Sequence, residues 1–228
     1  MRFQDAAPDA RAIVYAGIQA DPLVARTAEL LADATTGERV MARAVMNGER
    51  TDPATWRAIF PTIFGDGSAG SDPAARDRAE ALLAASLAVA EKGEAVRSQF
   101  RGAIVEHVTE LLVRRRGGGT VRRERRILFD GVRAEIHPYD VTLEGEGSGE
   151  AYDCKWGARG IGADVLDQLD TARRNAAAEG VRLTAALVVF DARRSCLVRL
   201  ARQTTTRDGI GLVSLETLDR LAGARGGG

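Results

Sequence analysis

The sequence predicts an α/β fold, of the α+β type with a mixed sheet, behind an all-helical N-terminal region. Helix-start signals recur through residues 1–95, and from Gly117 onward apolar residues alternate as they do in strands. A continuous apolar run at 183–190 then follows a predicted helix, which is typical of a strand buried on both faces. We therefore expect a helical region over residues 1–95, serving oligomerisation, target recognition or regulation, and an α/β domain over residues 96–228.

The helical region is predicted from its caps. Three Asp-Pro pairs each place a capping carboxylate before a proline that suits the first helical turn. The pairs are Asp21-Pro22, Asp52-Pro53 and Asp72-Pro73. After a glycine-rich break at 65–70, an alanine-rich helix is expected over residues 73–116, with an interruption near Gly93 or Gly102.

Three antiparallel strands are predicted after the glycines at 117–119. The first spans residues 121–129, and Asp130-Gly131 then provides the residue pair that a two-residue hairpin turn requires. The second strand is expected over residues 132–143 and the third over residues 150–156, joined by the loop EGEGSG.

The rest of the sheet is predicted from a strand, helix, strand order. A helix from about Ala163 to Gly180 leads into the apolar run at 183–190, which implies a parallel, right-handed crossover onto the same sheet. We also expect a short strand around residues 197–200 and a helix opened by Ser214.

Composition excludes several classes of protein. Of the 228 residues 45% are apolar, and 32 basic groups balance 32 acidic ones, so no global charge indicates a nucleic-acid partner. The longest apolar runs are far shorter than the ~20 residues that cross a bilayer, so no membrane span is expected. The start carries no export signal, which makes the cytoplasm the expected location. Two cysteines and two histidines supply no zinc-site spacing.

Three charged residues are predicted to converge on the second hairpin. A loop centred on Glu146-Gly147 would set Asp140 directly opposite Asp153, with Cβ atoms about 4.5–5.5 Å apart. The two-residue period of a strand places Lys155 on the same face as Asp153. Of the 32 basic residues 30 are arginine, and an arginine at position 155 could not act as a general base at neutral pH.

This arrangement favours phosphodiester hydrolysis. Two carboxylates so close repel each other unless a cation lies between them, and hard oxygen ligands suit Mg²⁺. A lysine beside that ion can orient or deprotonate a water and offset charge that develops on a phosphate. An ordinary cross-strand salt bridge among Asp140, Asp153 and Lys155 is the alternative interpretation. Glu106 on the preceding helix is a candidate third carboxylate, with a solvated helix-edge acid as its alternative.

The motif, PYD followed by twelve residues and then DCK, resembles that of the PD-(D/E)xK, or restriction-endonuclease-like, nuclease superfamily. The resemblance covers residues 98–192 in element order and leaves residues 1–95 unexplained. The sequence departs from the usual pattern in having Asp153 where glutamate is commoner. It also has its proline two residues before Asp140 rather than next to it.

The resemblance implies a role for each matching residue. Asp140, Asp153 and the backbone carbonyl of Cys154 would bind Mg²⁺, for which Mn²⁺ could substitute, and Lys155 would activate or position the water. Glu106 resembles the helical acid that assists metal binding in many members of the superfamily. The glutamine that some members place near the active site is matched by Gln168, in DVLDQLD.

A group of arginines is predicted to follow a phosphate backbone beside this site. Most of them lie close together in the sequence with only Glu124 among them, a pattern that also fits a solvated face. The predicted nucleic-acid-binding residues are Arg114, Arg115, Arg116, Arg122, Arg123, Arg125, Arg126 and Arg159.

The resemblance implies an endonuclease that hydrolyses DNA and leaves 5′-phosphate and 3′-hydroxyl ends. Its setting would be prokaryotic antiviral defence and restriction, or DNA repair and recombination. A homo-oligomer, in particular a dimer, and an activating partner or small signal are the expected partners besides DNA. Two alternatives stay open, namely a catalytically silent nucleic-acid-binding or assembly module on the same fold, and an RNA-directed nuclease.

Overall fold

The computed structural model of the protein describes residues 1–6, 10–65, 72–130, 132–133, 137–203 and 208–223. The chain divides into a helical unit, residues 10–108, and an α/β unit, residues 1–9 with 109–228. The division falls inside one helix rather than near residue 95, and the first residues of the chain belong to the α/β unit because they form a strand of its sheet.

Over residues 10–65 and 72–108, the helical unit contains six helices and the first part of a seventh. They are α1 (Ala10–Gln19), α2 (Pro22–Ala32), α3 (Thr36–Asn47), α4 (Pro53–Ile59), α5 (Pro61–Phe64), α6 (Pro73–Ala90) and α7 (Glu94–Arg116). All three predicted aspartate caps are confirmed, since Asp21, Asp52 and Asp72 each accept a backbone N–H of the first turn. The interruption of the alanine-rich helix lies at Gly93. Most of the predicted break at 65–70 lies outside the described residues.

The core of the helical unit includes one fully buried arginine. Arg39 of α3 is 0% exposed and donates from Nε to the carbonyl oxygen of Leu31 at 3.1 Å. The same carbonyl also accepts the N–H of Ala34 at 3.3 Å, so Arg39 is an additional donor at the end of α2. Among the helices described, none is long and apolar enough to cross a bilayer.

The α/β unit is built on a mixed sheet. Its strands are β1 (Arg2–Asp5), β2 (Thr120–Phe129), β3 (Val132–Arg133), β4 (Tyr139–Gly145), β5 (Ser148–Lys155), β6 (Arg182–Val189) and β7 (Ile210–Ser214). The order across the sheet is β1-β2-β4-β5-β6-β7, and β3 pairs with β2 alone. The pairs β1–β2, β2–β4 and β4–β5 are antiparallel, whereas β6 runs parallel to both β5 and β7.

The crossover from β5 to β6 is made by α8 (Ala163–Ala178), as predicted. Leu166, Leu169, Ala172 and Ala176 of this helix are buried in one core with residues of β6. The helix expected after Ser214 is also confirmed, as a 3₁₀ helix over Leu215–Ala222.

The prediction of a short strand around residues 197–200 is wrong. These residues belong to α9 (Arg193–Ala201), in which Cys196 is buried and most neighbouring side chains are exposed. With a single buried anchor, the helix shows no apolar stripe in the sequence. Strands β1 and β7 were not predicted, because each is short and lacks a clear alternation of apolar and polar residues.

The predicted second strand over residues 132–143 is also wrong as one element. β3 pairs with β2 at Leu128 and Phe129, and β4 resumes the pairing at Arg125 opposite Tyr139. Between these points β2 advances by three residues while its partner advances by six, so the partner carries an insertion of three. The insertion lies just before Asp140, next to Pro138, which has no N–H to donate to a ladder.

Candidate functional site

The β4–β5 hairpin sets the register of the site. Its two-residue turn contains Gly147 at φ +66°, a conformation that glycine adopts without steric cost. From this turn the strands pair without a bulge as far as Val141 opposite Tyr152. Regular pairing ends there, one position before Asp140 and Asp153, so their direct opposition stays a prediction.

Asp140 contacts the backbone of β5. Its Oδ2 accepts a hydrogen bond from the N–H of Cys154 at 2.5 Å. The carbonyl oxygen of Lys155 accepts a hydrogen bond from the N–H of Phe190, just after β6, at 2.8 Å, so it points toward β6. Successive carbonyls of a strand point to opposite sides. The carbonyl of Cys154 therefore points toward β4, on the side of β5 where Asp140 lies.

Asp153 and Lys155 form an ion pair between Oδ1 and Nζ, with side chains that are 14% and 27% exposed. Burial raises the pKa of the Asp153 carboxyl in spite of Lys155, and the charge of Asp164 adds to the rise. Burial acts to lower the pKa of Lys155, but Asp140 and Asp153 outweigh it and hold that pKa above its ordinary value. The carboxylates are therefore close enough to keep Lys155 charged.

The aliphatic stem of Lys155 packs against Gly160. A Cβ atom on Gly160 would lie 2.9 Å from Cδ of Lys155 and 3.2 Å from its Cγ. Gly160 belongs to a 3₁₀ turn, Ala158–Gly160, and Oδ2 of Asp191 accepts the N–H of Ala158 at 3.0 Å. The backbone that follows Lys155 is thus fixed to the end of β6 and leaves room for the lysine.

Glu124 is a further carboxylate at this site, and the sequence did not indicate it. Arg123 pairs with Val141 and Arg125 with Tyr139, so Glu124 lies opposite Asp140. A carboxylate oxygen of Glu124 lies within 4.8 Å of one of Asp140. Glu124 has φ +53°, which residues other than glycine adopt rarely and which costs energy. The only signal in the sequence is a single acid inside an arginine-rich strand.

Gln168 joins α8 to the residues that precede Asp140. Its Nε2 donates to the carbonyl oxygen of His137 at 2.8 Å, and its Oε1 accepts the N–H of His137 at 3.3 Å. The glutamine is 7% exposed. The amide of Gln168 therefore holds the backbone of His137, three residues before Asp140, by two hydrogen bonds.

Glu106 belongs to the helical unit, where it is 6% exposed and so is not a solvated helix-edge acid. One carboxylate oxygen accepts from the hydroxyl of Tyr15 at 2.6 Å, and the other accepts from Nε2 of Gln19 at 2.7 Å. Two donors from α1 thus hold this carboxylate. Its role as a metal ligand stays a prediction.

Several predicted phosphate-binding arginines are paired with acids. Arg114 pairs with Glu110 at 2.7 Å, and Arg123 pairs with the same carboxylate at 3.1 Å. The partner of Arg116 is Glu150, at 2.5 Å. A phosphate would have to compete with these carboxylates for the guanidinium groups.

The other predicted arginines differ in exposure. Arg125 is 7% exposed and bonds to Glu144 at 2.7 Å and to Asp5, so it is part of a buried ion-pair network and does not fit an exposed phosphate-binding row. Arg126 is half-buried. The exposed members are Arg115, Arg122 and Arg159.

The arrangement can hold a divalent cation. Glu124 and Asp140 place carboxylate oxygens within 4.8 Å of each other, and Asp140 and Asp153 both act on the charge of Lys155. A metal ion can offset an excess of negative charge of this kind. The donors are hard oxygens, which suit Mg²⁺ or Mn²⁺. The thiol of Cys154 is buried and contacts Oγ1 of Thr109 at 3.5 Å, so the cysteine would contribute only its carbonyl.

Comparison with known proteins adds no assignment to this geometry. No family model matches the chain, and no curated protein or solved structure matches it either. The functional interpretation therefore rests on the residues of the site.

Proposed function

We propose that the protein is a metal-dependent nuclease that hydrolyses phosphodiester bonds of DNA with Mg²⁺. The observation that carries this proposal is a cluster of three side chains: Asp140 accepts the N–H of Cys154, which lies between Asp153 and Lys155, and those two residues form an ion pair. An ordinary salt bridge needs neither the additional carboxylate of Glu124 nor a glycine packed against the lysine stem. Both features fit a site that binds a cation and positions an ammonium.

The order of elements supports a restriction-endonuclease-like core. Helix α7 precedes the antiparallel strands β2, β4 and β5, and α8 then leads to β6, which runs parallel to β5. This is the order that the resemblance of the PYD and DCK motifs implies. β1, β7 and α9 are additions to that core.

Each residue has a role in the proposed reaction. Asp140, Asp153, Glu124 and the carbonyl of Cys154 would hold Mg²⁺, which when bound acts as a Lewis acid and lowers the pKa of water. Lys155 offers its ammonium to the charge that develops on the phosphate, or in its neutral form accepts the proton of the attacking water. The water oxygen attacks phosphorus and loses its proton to Lys155 or to solvent, the bond to the 3′ oxygen breaks, and that oxygen takes a proton from solvent water and leaves as a hydroxyl.

The test is cleavage of supercoiled plasmid, linear duplex and single-stranded DNA with Mg²⁺, Mn²⁺ or EDTA. We expect metal-dependent cutting, and a loss of about 100-fold or more in Asp140→Asn and in Lys155→Ala. Lys92→Ala is the matched control, because Lys92 is the other lysine of the chain and lies over the ring of Phe100. Asp170→Asn is the matched acid, since Asp170 pairs with Arg173 and Arg174 on α8.

Three results would contradict the proposal. Cutting that persists in both site variants would remove Asp140 and Lys155 from the chemistry. Preferential cleavage of RNA of the same sequence would favour the RNA-directed nuclease. Binding of DNA without cutting under every metal condition would favour a catalytically silent module.

A further inference from the structure

A basic groove lies beside the site, and of its arginines the sequence indicated only Arg159. It is formed by the 3₁₀ turn Ala158–Gly160 and helix α9, and it has a volume of about 620 Å³. Besides Ala158, it is lined by Arg159, Arg194, Ser195, Val198, Arg199 and Arg202. We call it the α9 groove. Four of its seven lining residues are arginines and none is acidic, so the positive charge of the lining attracts anions.

The arginines of the α9 groove form fewer ion pairs with carboxylates than the arginines of α7 and β2. Arg159, Arg194 and Arg202 are exposed, and none of them forms an ion pair with a carboxylate in the described ranges of the chain. Arg199 donates from Nε to the carbonyl oxygen of Ile161 at 3.0 Å, which fixes its position and leaves its charge unneutralised by that bond. A phosphate entering this groove displaces no carboxylate.

The spacing of the groove residues matches a nucleic-acid strand. Arg194 and Val198 are four residues apart on α9, and Arg202, four residues further on, is the C-cap residue and keeps a helical conformation, so the three follow one side of the helix. Arg194 and Arg202 are separated by ~12 Å along the helix axis. Phosphates of one DNA strand follow each other at about 3.4 Å along the duplex axis, so a helix lying along that axis would span about three to four phosphate steps between these arginines. Val198, 48% exposed, offers an apolar contact between the two charges.

The groove is connected to the site through the backbone. Its first wall begins three residues after Lys155, in the turn whose Gly160 packs against the lysine stem. Its second wall, α9, begins two residues after Asp191, which holds the N–H of Ala158. A strand lying in the groove therefore has a fixed position relative to Lys155.

We propose that the α9 groove binds the phosphate backbone of one strand of the DNA on which the site acts. This inference rests on the proposed nuclease function and names the surface that holds its substrate. It assigns substrate binding mainly to Arg159, Arg194 and Arg202 rather than to the paired arginines of α7 and β2.

The experiment measures binding without turnover. Fluorescence anisotropy of a short labelled DNA duplex is followed in the Lys155→Ala background with EDTA present, over a series of salt concentrations. We expect Arg194→Gln/Arg202→Gln to weaken binding by about tenfold or more and to reduce the slope of log K against log salt by about 2, one unit for each lost phosphate contact. Arg194→Lys/Arg202→Lys should retain most of the affinity and the slope, because the charges stay.

Two comparisons make this test specific. Arg173→Gln/Arg174→Gln removes the same charge from arginines that pair with Asp170 on α8, and we expect it to change the affinity by less than about threefold. Arg114→Gln/Arg116→Gln tests the arginines indicated by the sequence. A larger loss in that variant than in the α9 variant, or an unchanged salt slope in the α9 variant, would overturn the inference.

The two proposals can fail separately. Binding that depends on Arg194 and Arg202, combined with no cleavage of any substrate, supports the groove and contradicts the nuclease. Cleavage that depends on Asp140 and Lys155, combined with binding indifferent to the groove, supports the nuclease and overturns the groove. RNA that competes about tenfold better than DNA of the same sequence would overturn the assignment of DNA as the ligand.

Discussion

Gly160 lies against Lys155 so closely that a methyl group at position 160 would be 2.9 Å from Cδ of the lysine. Real Cβ atoms do not approach carbon so closely, so any side chain at 160 must displace the lysine stem. The position of the ammonium therefore depends on a residue five positions further along the chain.

We expect Gly160→Ala to lower the rate of cleavage by about 10- to 100-fold, because a displacement of the ammonium by a fraction of an ångström is costly in a preorganised site. The melting temperature and the affinity for metal should change little, since the lysine stem is partly exposed. Steady-state kinetics and thermal unfolding measure these quantities. Gly93→Ala is the control, because a Cβ there meets no atom within 4 Å. An unchanged rate in Gly160→Ala would show that the lysine is not positioned by this contact.

Glu124→Gln should stabilise the metal-free protein and weaken its binding of metal. The substitution removes the repulsion between two carboxylates whose oxygens lie within 4.8 Å, and we expect a gain of about 1 kcal/mol, or about 2–4 °C in melting temperature. Isothermal titration should show that the variant binds Mn²⁺ at least about tenfold more weakly than the wild type. The exposed turn residue Glu146, changed to Gln, is the control. A loss of stability with full metal affinity would place Glu124 outside the site.

Gln168→Glu should loosen the start of β4. The carboxylate can still accept the N–H of His137 but opposes the carbonyl oxygen to which the amide now donates. Because the side chain is nearly buried, we expect a cost of about 1–3 kcal/mol in the free energy of unfolding. Hydrogen exchange should accelerate at residues 139–141. If Gln168 instead contacts substrate, as the resemblance implies, the variant would raise KM without loss of stability or of exchange protection.

Glu106→Gln tests the predicted role of Glu106 in metal binding. The affinity for Mn²⁺ should fall if the carboxylate is a ligand. Tyr15→Phe is the companion variant, because it removes only the hydroxyl that donates to Glu106 at 2.6 Å and should cost about 1.5–3 kcal/mol in stability. A Glu106→Gln protein that loses stability but keeps its affinity for Mn²⁺ would leave Glu106 a structural acid.

The features that the sequence predicts correctly are encoded locally. A capping aspartate and the proline after it define a helix start within two residues, and all three such starts are present. A two-residue turn defines the register of a hairpin, so the five pairs from Gly145 opposite Ser148 to Val141 opposite Tyr152 follow from Glu146-Gly147 alone. The alternation of side chains then fixes the face on which Lys155 lies.

The features that the sequence does not predict depend on distant residues. β7 is a strand because β6 offers it an edge, and α9 carries only Cys196 as a buried anchor. Glu124 reaches the site because β2 has β4 for a partner and takes a positive φ at that position. Arg125 looks like its exposed neighbours in the sequence but is buried by Glu144 and Asp5, which come from two other strands.

The three-residue insertion between β3 and β4 has a consequence for length variation in related chains. The pairing of β4 with β5 is counted from the turn at Glu146-Gly147. The insertion precedes Asp140 and the turn follows it. Deletions or additions before His137 would change the size of the insertion and leave the counting of β4 against β5 intact. Natural or engineered homologues should therefore differ in length on that side of Asp140 and keep a constant spacing between Asp140 and Lys155.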